Sequence, residues 1–282
     1  MKMITPIIGI SKIIGSYQTI ICGFDGVLSK GDGLLPDALK AVRGAKENKK
    51  DVVLFSNSPL RIWQMAEQFE AAKFDLHNFK AMITAGEVLH YKLKNNHTLG
   101  KKYYNLGGTL SKGVFASLPY VETHKIQDAD FIFIGDIHPQ KLNLEDYEKE
   151  LQEAASLHLP LVCVGTDITT HIHGEVALSA GGVAEQYAIM GGRIMTVSKT
   201  DADMLSYVKE CCGDGQGLLL IGDGYASDMK AASMLKADMV LVAKGVHVHA
   251  LGEGYIPDVQ KARDLAVNYN LFPNYMISEL RF

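Results

Sequence analysis

The sequence predicts an α/β protein: a doubly wound parallel sheet into which a second, smaller α/β domain is inserted. Three observations carry that expectation. Five short apolar runs each end in glycine or a polar residue, namely TIICGF (19–24), DVVLFSN (51–57), RIMTVSK (193–199), GLLLIGD (217–223) and DMVLVAKG (238–245). They lack the polar–apolar alternation of a half-exposed strand, so they fit parallel strands covered on both faces. Helical patterns separate them, and strand–helix–strand repetition is the mark of a wound parallel sheet. The stretch from about Thr84 to Gly192 breaks that rhythm with strands and helices of its own.

The elements follow in order. The opening MKMITPIIGISKIIGSYQTIICG is apolar, but Lys12 interrupts it. No small-residue cleavage site follows and the segment runs straight into a strand, so it reads as part of the fold and not as a secretory leader. LPDALKAVRGAKENKK (35–50) is a helix with Pro36 in the first turn, where a missing N–H costs nothing. Its KENKK end is a solvated helix terminus. PLRIWQMAEQFEAAKF (59–74) is a second helix, with Trp63, Ala66 and Phe69 expected along one buried stripe. The insertion holds strands at KKYYNL (101–106), DFIFIGD (130–136) and PLVCVGTD (160–167). Its helices are LEDYEKELQEAASLH (144–158) and GGVAEQYAIMGG (181–192). SDMKAASMLKA (227–237) is a short alanine-rich helix of the main domain. The expected organisation is a core of residues 1–83 and 193–282, with residues 84–192 as the insertion.

Composition narrows the function. The 282 residues carry a net charge of −4 with acids and bases mixed. That balance gives no reason to expect a nucleic-acid or membrane-surface partner. No uninterrupted apolar stretch is long enough to span a bilayer. Cys22, Cys163, Cys211 and Cys212 show no CxxC spacing and suit reduced thiols in a cytoplasmic protein.

Ligands of wound parallel sheets bind beyond the carboxyl ends of the strands. The polar residues there are Asp25, Ser56, Asn57, Lys199, Asp223 and Asp228, scattered in sequence but expected to converge at one sheet edge. Carboxylates at such an edge suit Mg²⁺, a hard cation that prefers oxygen. Lys199 can meet phosphate oxygens as a point charge. Ser56 can donate its hydroxyl, and backbone N–H groups in the turn beside Gly26 can cradle an anion. Charge neutralisation and positioning are what phosphoryl transfer requires.

The order GFDGV (23–27), LFSNSP (54–59), VSKT (197–200) and IGDGYASDM (221–229), each ending a strand, resembles the four motifs of the haloacid dehalogenase (HAD) superfamily. The inserted segment resembles the C2-type cap of its class IIA members. ITAGE (83–87), KKYYNLGG, DADFIFIG, LPLVCVGTD and the closing LFPNYMISELRF are similar to one branch of that class. The resemblance implies a Rossmann-like core, Mg²⁺-dependent phosphomonoester hydrolysis and a small phosphorylated metabolite as substrate, with a homodimer as an option. It implies that position 23 holds the nucleophile and that Asp25 is the general acid/base whose carbonyl touches the metal. Ser56 and Lys199 bind the phosphoryl group, Asp223 ligates Mg²⁺, Asp228 supports it, and Asp167 faces the substrate from the cap.

Here the chain departs from the pattern, because position 23 is glycine. Glycine can neither attack phosphorus nor bind a metal through a carboxylate, so an impaired enzyme is the leading expectation. Asp25 shares the strand face of Gly23 but lies about 6–7 Å further along. A water nucleophile is another route. Cys22 points to the opposite face. A non-catalytic phosphate-binding protein is the remaining reading. A single base change separates the aspartate and glycine codons, so the residue is either natural or introduced.

Other patterns carry less. His171-x-His173 and His247-x-His249 have a spacing that can bind zinc, but no further ligand stands nearby in sequence, so packed or solvated rings are expected. GDGQG (213–217) precedes its strand instead of following it, which fails the dinucleotide-loop pattern.

Overall fold

The computed structural model describes residues 3–31, 33–96, 98–172, 175–213, 217–252 and 254–282. His173 and residues 214–216 of GDGQG lie outside the described residues. In chain order the strands begin with β1 (Thr5–Pro6), β2 (Thr19–Cys22), β3 (Ser29–Lys30), β4 (Gly33–Leu34), β5 (Asp51–Ser56) and β6 (Ala81–Thr84). Next come β7 (Lys102–Asn105), β8 (Val121–Glu122), β9 (Phe131–Ile134), β10 (Leu161–Val164), β11 (Thr169–Ile172), β12 (Glu175–Leu178) and β13 (Ile194–Val197). The last are β14 (Leu218–Gly222), β15 (Asp238–Val242) and β16 (Tyr275–Ile277). The helices are α1 (Pro36–Glu47), α2 (Ile62–Ala71), α3 (Ala85–Lys94), α4 (Glu148–Ser156), α5 (Ala180–Ile189), α6 (Ala202–Cys212), α7 (Lys230–Leu235), α8 (Val248–Leu251) and α9 (Val259–Tyr269).

The chain is a doubly wound α/β protein built as two compact units. One comprises residues 1–56, 66–83 and 199–282; the other comprises residues 57–65 and 84–198. The first unit is organised on a seven-stranded sheet of order β1-β16-β15-β14-β2-β5-β6. The pairings from β1 through to β5 are all parallel. Its central strands are buried along nearly their whole length, as their unbroken apolar runs require. Phe69 is fully buried and its ring meets those of Phe24, Phe74 and Phe79 at 5.2–5.9 Å.

The second unit has a five-stranded sheet of order β13-β10-β9-β7-β8, also parallel in its pairings. β9 explains its FIFI sequence. Ile132 and Ile134 join a core with Leu161, Cys163, Leu151 and Tyr187 on α4, α5 and β10. Phe131 and Phe133 face an aromatic cluster in which Tyr103 and Phe115 stack at 3.9 Å. Alternate residues thus serve two cores, one on each face of the sheet.

Two expectations change. The apolar pattern places the run 193–199 among the main-sheet strands, but β13 pairs with β10 in the five-stranded sheet. An apolar run states that a strand is covered, not which sheet covers it. In α2 the buried positions are Met65 and Phe69, whereas Trp63 is 51% exposed. Phe69 thus lies on the expected line, and Met65 takes the buried place expected of Trp63.

Candidate active site

The register of the central strands fixes the site. Cys22 on β2 lies opposite Ile221 on β14 and Leu54 on β5. Gly23, Gly222 and Phe55 are the next residues along these three strands. The N–H of Gly23 donates to the Ile221 carbonyl at 2.8 Å, so the strand pairing continues through this position.

The chain then turns sharply. The N–H groups of Val27, Leu28 and Ser29 all donate to the Phe24 carbonyl at 2.8–3.2 Å, and Gly26 donates to Ser29 at 2.8 Å. Gly26 has a φ of +72°, and a Cβ there would lie 1.9 Å from Asp223 Oδ2. Only glycine satisfies both demands. Gly245 meets Asp223 from another side, where a Cβ would come within 2.2 Å of the Asp223 Cβ. The Asp223 carboxylate is thus held between two glycine backbones, and its Oδ2 accepts the Val246 N–H at 2.7 Å.

Asp228 sits in the π turn Tyr225–Met229 that follows β14. It is 1% exposed. Its Oδ1 accepts from Lys199 Nζ at 2.7 Å, and its Oδ2 accepts the N–H groups of Asp223 and Gly224 at 3.1 Å each. Lys199 is itself 5% exposed, with its ammonium 5.9 Å from the centre of the Phe55 ring. A buried ammonium requires such a partner, since an uncompensated charge here is strongly destabilising.

The structure therefore brings Lys199 and Asp228 into contact and sets Asp223 beside Gly26, with its backbone N–H donating to Asp228. A Cβ on Gly23 would lie 3.6 Å from Lys199 Nζ, so position 23 faces the ammonium. Ser56 ends β5 and is buried. Asp25 lies on the exposed turn. Cys22 is fully buried; burial pushes its thiol up to about 12, with Asp228 adding to the rise and Lys199 opposing it. It stays protonated and is no substitute nucleophile.

Asn57 and Asp167 belong to the second unit, where Asn57 Nδ2 donates to Asp167 Oδ2 at 2.7 Å. Sequence reasoning missed a further pair there. Arg61 grips Glu87 with two bonds, Nε to Oε2 at 2.6 Å and Nη2 to Oε1 at 2.8 Å. The Ile62 N–H adds a third at 3.0 Å. Burial alone raises the Glu87 carboxyl; Arg61 and the Ile62 N–H overcome it and hold the group below its ordinary range. Thr84 caps α3 by accepting the Glu87 N–H at 3.1 Å and donates to the Leu60 carbonyl at 2.7 Å. The ITAGE stretch thus stitches residues 60–62 to the start of α3. Its Thr-x-x-Glu pattern is a readable capping signal, but nothing local points to an arginine so far back.

Among the described residues, no group of three or more His, Cys, Asp or Glu side chains is arranged to hold a metal ion. His247 Nε2 instead accepts the Tyr225 N–H at 3.4 Å and packs against the rings of Tyr225 and Tyr269. No helix among the described residues is long and apolar enough to cross a membrane.

Residues 20–118 match a family described as haloacid dehalogenase-like hydrolase. No curated protein matches the chain. Solved structures do. A haloacid dehalogenase-like hydrolase from Brucella suis aligns with a TM-score of 0.79 at 22% identity, over 96% of this chain and 98% of that one. A protein from Cytophaga hutchinsonii described as a possible sugar phosphatase aligns with a TM-score of 0.77 at 19% identity, over 99% and 98%. A p-nitrophenyl phosphatase from Archaeoglobus fulgidus aligns with a TM-score of 0.70 at 17% identity, over 94% and 97%. The strand order, the inserted second sheet and these alignments agree: the chain has the haloacid dehalogenase-like fold in its class IIA form.

Proposed function

We propose that the first unit binds phosphate, or a small phosphorylated metabolite, at the edge formed by Gly23, Ser56, Lys199 and Asp223. Its ancestral reaction is Mg²⁺-dependent hydrolysis of a phosphomonoester, and the glycine at position 23 impairs it. The observation that carries this reading is the buried Lys199 ammonium, 3.6 Å from where a side chain at position 23 would begin. A buried cation facing an empty side-chain position, at the carboxyl end of a parallel sheet, is built to meet an anion. Residues 84–192 serve as the cap in this reading, and Asn57 holds the Asp167 carboxylate that contributes to substrate choice.

The residues present do not fit a tightly held Mg²⁺. Both oxygens of Asp228 are engaged, by Lys199 and by two backbone N–H groups, and position 23 offers no oxygen. Asp25, Asp223 and Asp228 are thus expected to hold the cation only weakly. The work left to the chain is binding: Lys199 and the Ser56 hydroxyl take the phosphoryl oxygens, the turn after Phe24 offers N–H groups, and Asp25 stands on the exposed turn to exchange a proton with the leaving oxygen.

Titration with inorganic phosphate or orthovanadate tests this. The wild-type chain is expected to bind either anion, to be thermally stabilised by it, and to lose affinity about 10-fold or more in Ser56→Ala, the order of one charge-assisted hydrogen bond. Absence of binding, or binding that Ser56→Ala leaves unchanged, contradicts the reading.

A further inference from the structure

Two strands away from Gly23, on the same edge of the same unit, three cations meet one carboxylate. Lys30 lies on β3, just after the turn at Gly26. Lys244 follows β15, one residue before the glycine that packs on Asp223. Glu279 and Arg281 follow β16. Glu279 accepts from Lys30 at 3.4 Å, pairs with Lys244 at 3.8 Å and accepts from Arg281 at 3.1 Å. All four side chains are 24–37% exposed, so each is anchored on one side and open to solvent on the other. The three cations hold the Glu279 carboxyl below its ordinary range, against the effect of its burial. Glu279 is shared three ways and Arg281 also interacts with the Asp37 carboxylate, so it is the Lys30 and Lys244 ammonium groups that are left partly uncompensated. Arg281 lies 4.9 Å over the exposed Tyr255 ring, and the two line a depression with Ser278, Glu279, Ile7, Ile8 and Ile277. Lys30 and Lys244 stand beside that depression, joined to it through their contacts with Glu279.

We propose that Lys30, Lys244 and Arg281 around Glu279 form a second anion subsite, one that receives a second phosphate of the phosphorylated ligand. The proposal rests on the phosphate-binding reading of Lys199 and deepens it: the preferred ligand class is a bisphosphorylated small molecule. Strand spacing sets the scale. Neighbouring strands lie about 4.8 Å apart. β15 is two strands from β2 and β16 is three, so the subsite stands about 10–14 Å from the edge at Gly23. That span suits the two phosphates of a sugar bisphosphate with side chains as long as lysine reaching in. Glu279 is the gatekeeper. It gathers the three cations when the subsite is empty, and an incoming dianion competes with it for them.

The test compares fructose 1,6-bisphosphate with fructose 6-phosphate by calorimetric titration at low salt, in the wild type, in the Lys30→Gln/Lys244→Gln double variant, and in Glu279→Gln. The bisphosphate is expected to bind the wild type at least about 10-fold more tightly. The double variant is expected to abolish that advantage while leaving fructose 6-phosphate affinity unchanged. Glu279→Gln is expected to increase the advantage, a gain that a purely structural role for the cluster would not give. Equal affinities in the wild type, or an advantage that survives the double variant, overturn the subsite. The failures separate cleanly. Binding of both sugars with no bisphosphate advantage removes the subsite and leaves the Lys199 reading intact. Bisphosphate binding that depends on Lys30 and Lys244, with no binding of fructose 6-phosphate, removes the Lys199 reading and keeps the subsite. Binding of neither removes both. Circular dichroism of each variant verifies that the partly exposed substitutions leave the fold unchanged.

Discussion

Gly23 and Gly26 stand three residues apart and are glycines for different reasons. Gly26 is dictated by sterics: its φ is positive and Asp223 fills the space a Cβ would need. Gly23 is not. Its φ lies outside the left-handed region, and a Cβ would meet Val27 Cγ2 at 3.1 Å and the Ile221 carbonyl at 3.2 Å, so each neighbour must give by a few tenths of an ångström instead of the larger displacement that Gly26 would demand. On the proposed reading, what glycine changes at position 23 is the chemistry, because the backbone there is not in the left-handed region that favours glycine. Paired substitutions check this. Gly26→Ala is expected to lower stability by about 1–3 kcal/mol, from forced φ and overpacking, and to lower the melting temperature by several degrees. Gly23→Ala is expected to cost less than about 1 kcal/mol. Thermal unfolding followed by circular dichroism distinguishes the two, and an equal loss at both positions would contradict the argument. That Ser56 and Asp223 stand at or just beyond strand ends was legible, because an apolar run that stops at a polar residue marks the end of a strand. The engagement of Asp228 by Lys199 was not, because sequence order gives no distance.

At the scale of elements, the informative piece is the link between residues 60–62 and α3. The Glu87 carboxyl is depressed in the folded chain, so it adds stability that is present above the ordinary carboxylate range of about 4.3 and is lost as pH falls through its lower folded value. Removing one partner leaves the other buried and unpaired, which costs about 3–5 kcal/mol at a fully buried site and somewhat less at this 12–14% exposed pair. Hydrogen exchange at pH 7 is expected to show faster exchange of the α3 amides in Arg61→Met, with β2 and β14 unchanged. The wild type is expected to approach the variant's exchange pattern, after correction for intrinsic rates, only below about pH 4. Strand existence was readable from apolar runs, and α4 and α5 from their periodicity. β1 and β16 are not legible because they are only two and three residues long, too short for a period to show. β13 was seen but assigned to the wrong sheet, since Ile194–Val197 has the composition of either. Trp63 misled because a large aromatic residue suggests burial, whereas Met65 and Phe69 hold the buried line of α2.

For the molecule as a whole, the wound class followed from the succession of runs and helices, because parallel strands need crossovers and crossovers need helices. The chain's account of itself then turns on one position. In a fold shared over nearly its full length with haloacid dehalogenase-like structures, Gly23 faces a buried lysine that is itself bound to Asp228. Restoring a carboxylate there is the most direct test. Hydrolysis of p-nitrophenyl phosphate should be measured with and without Mg²⁺ in the wild type and in Gly23→Asp. The account predicts negligible turnover by the wild type and a Mg²⁺-dependent rise of at least about 10³-fold in the variant, a conservative share of what one nucleophile contributes elsewhere. Wild-type turnover equal to that of Gly23→Asp, or a well-folded Gly23→Asp with no gain, would contradict it.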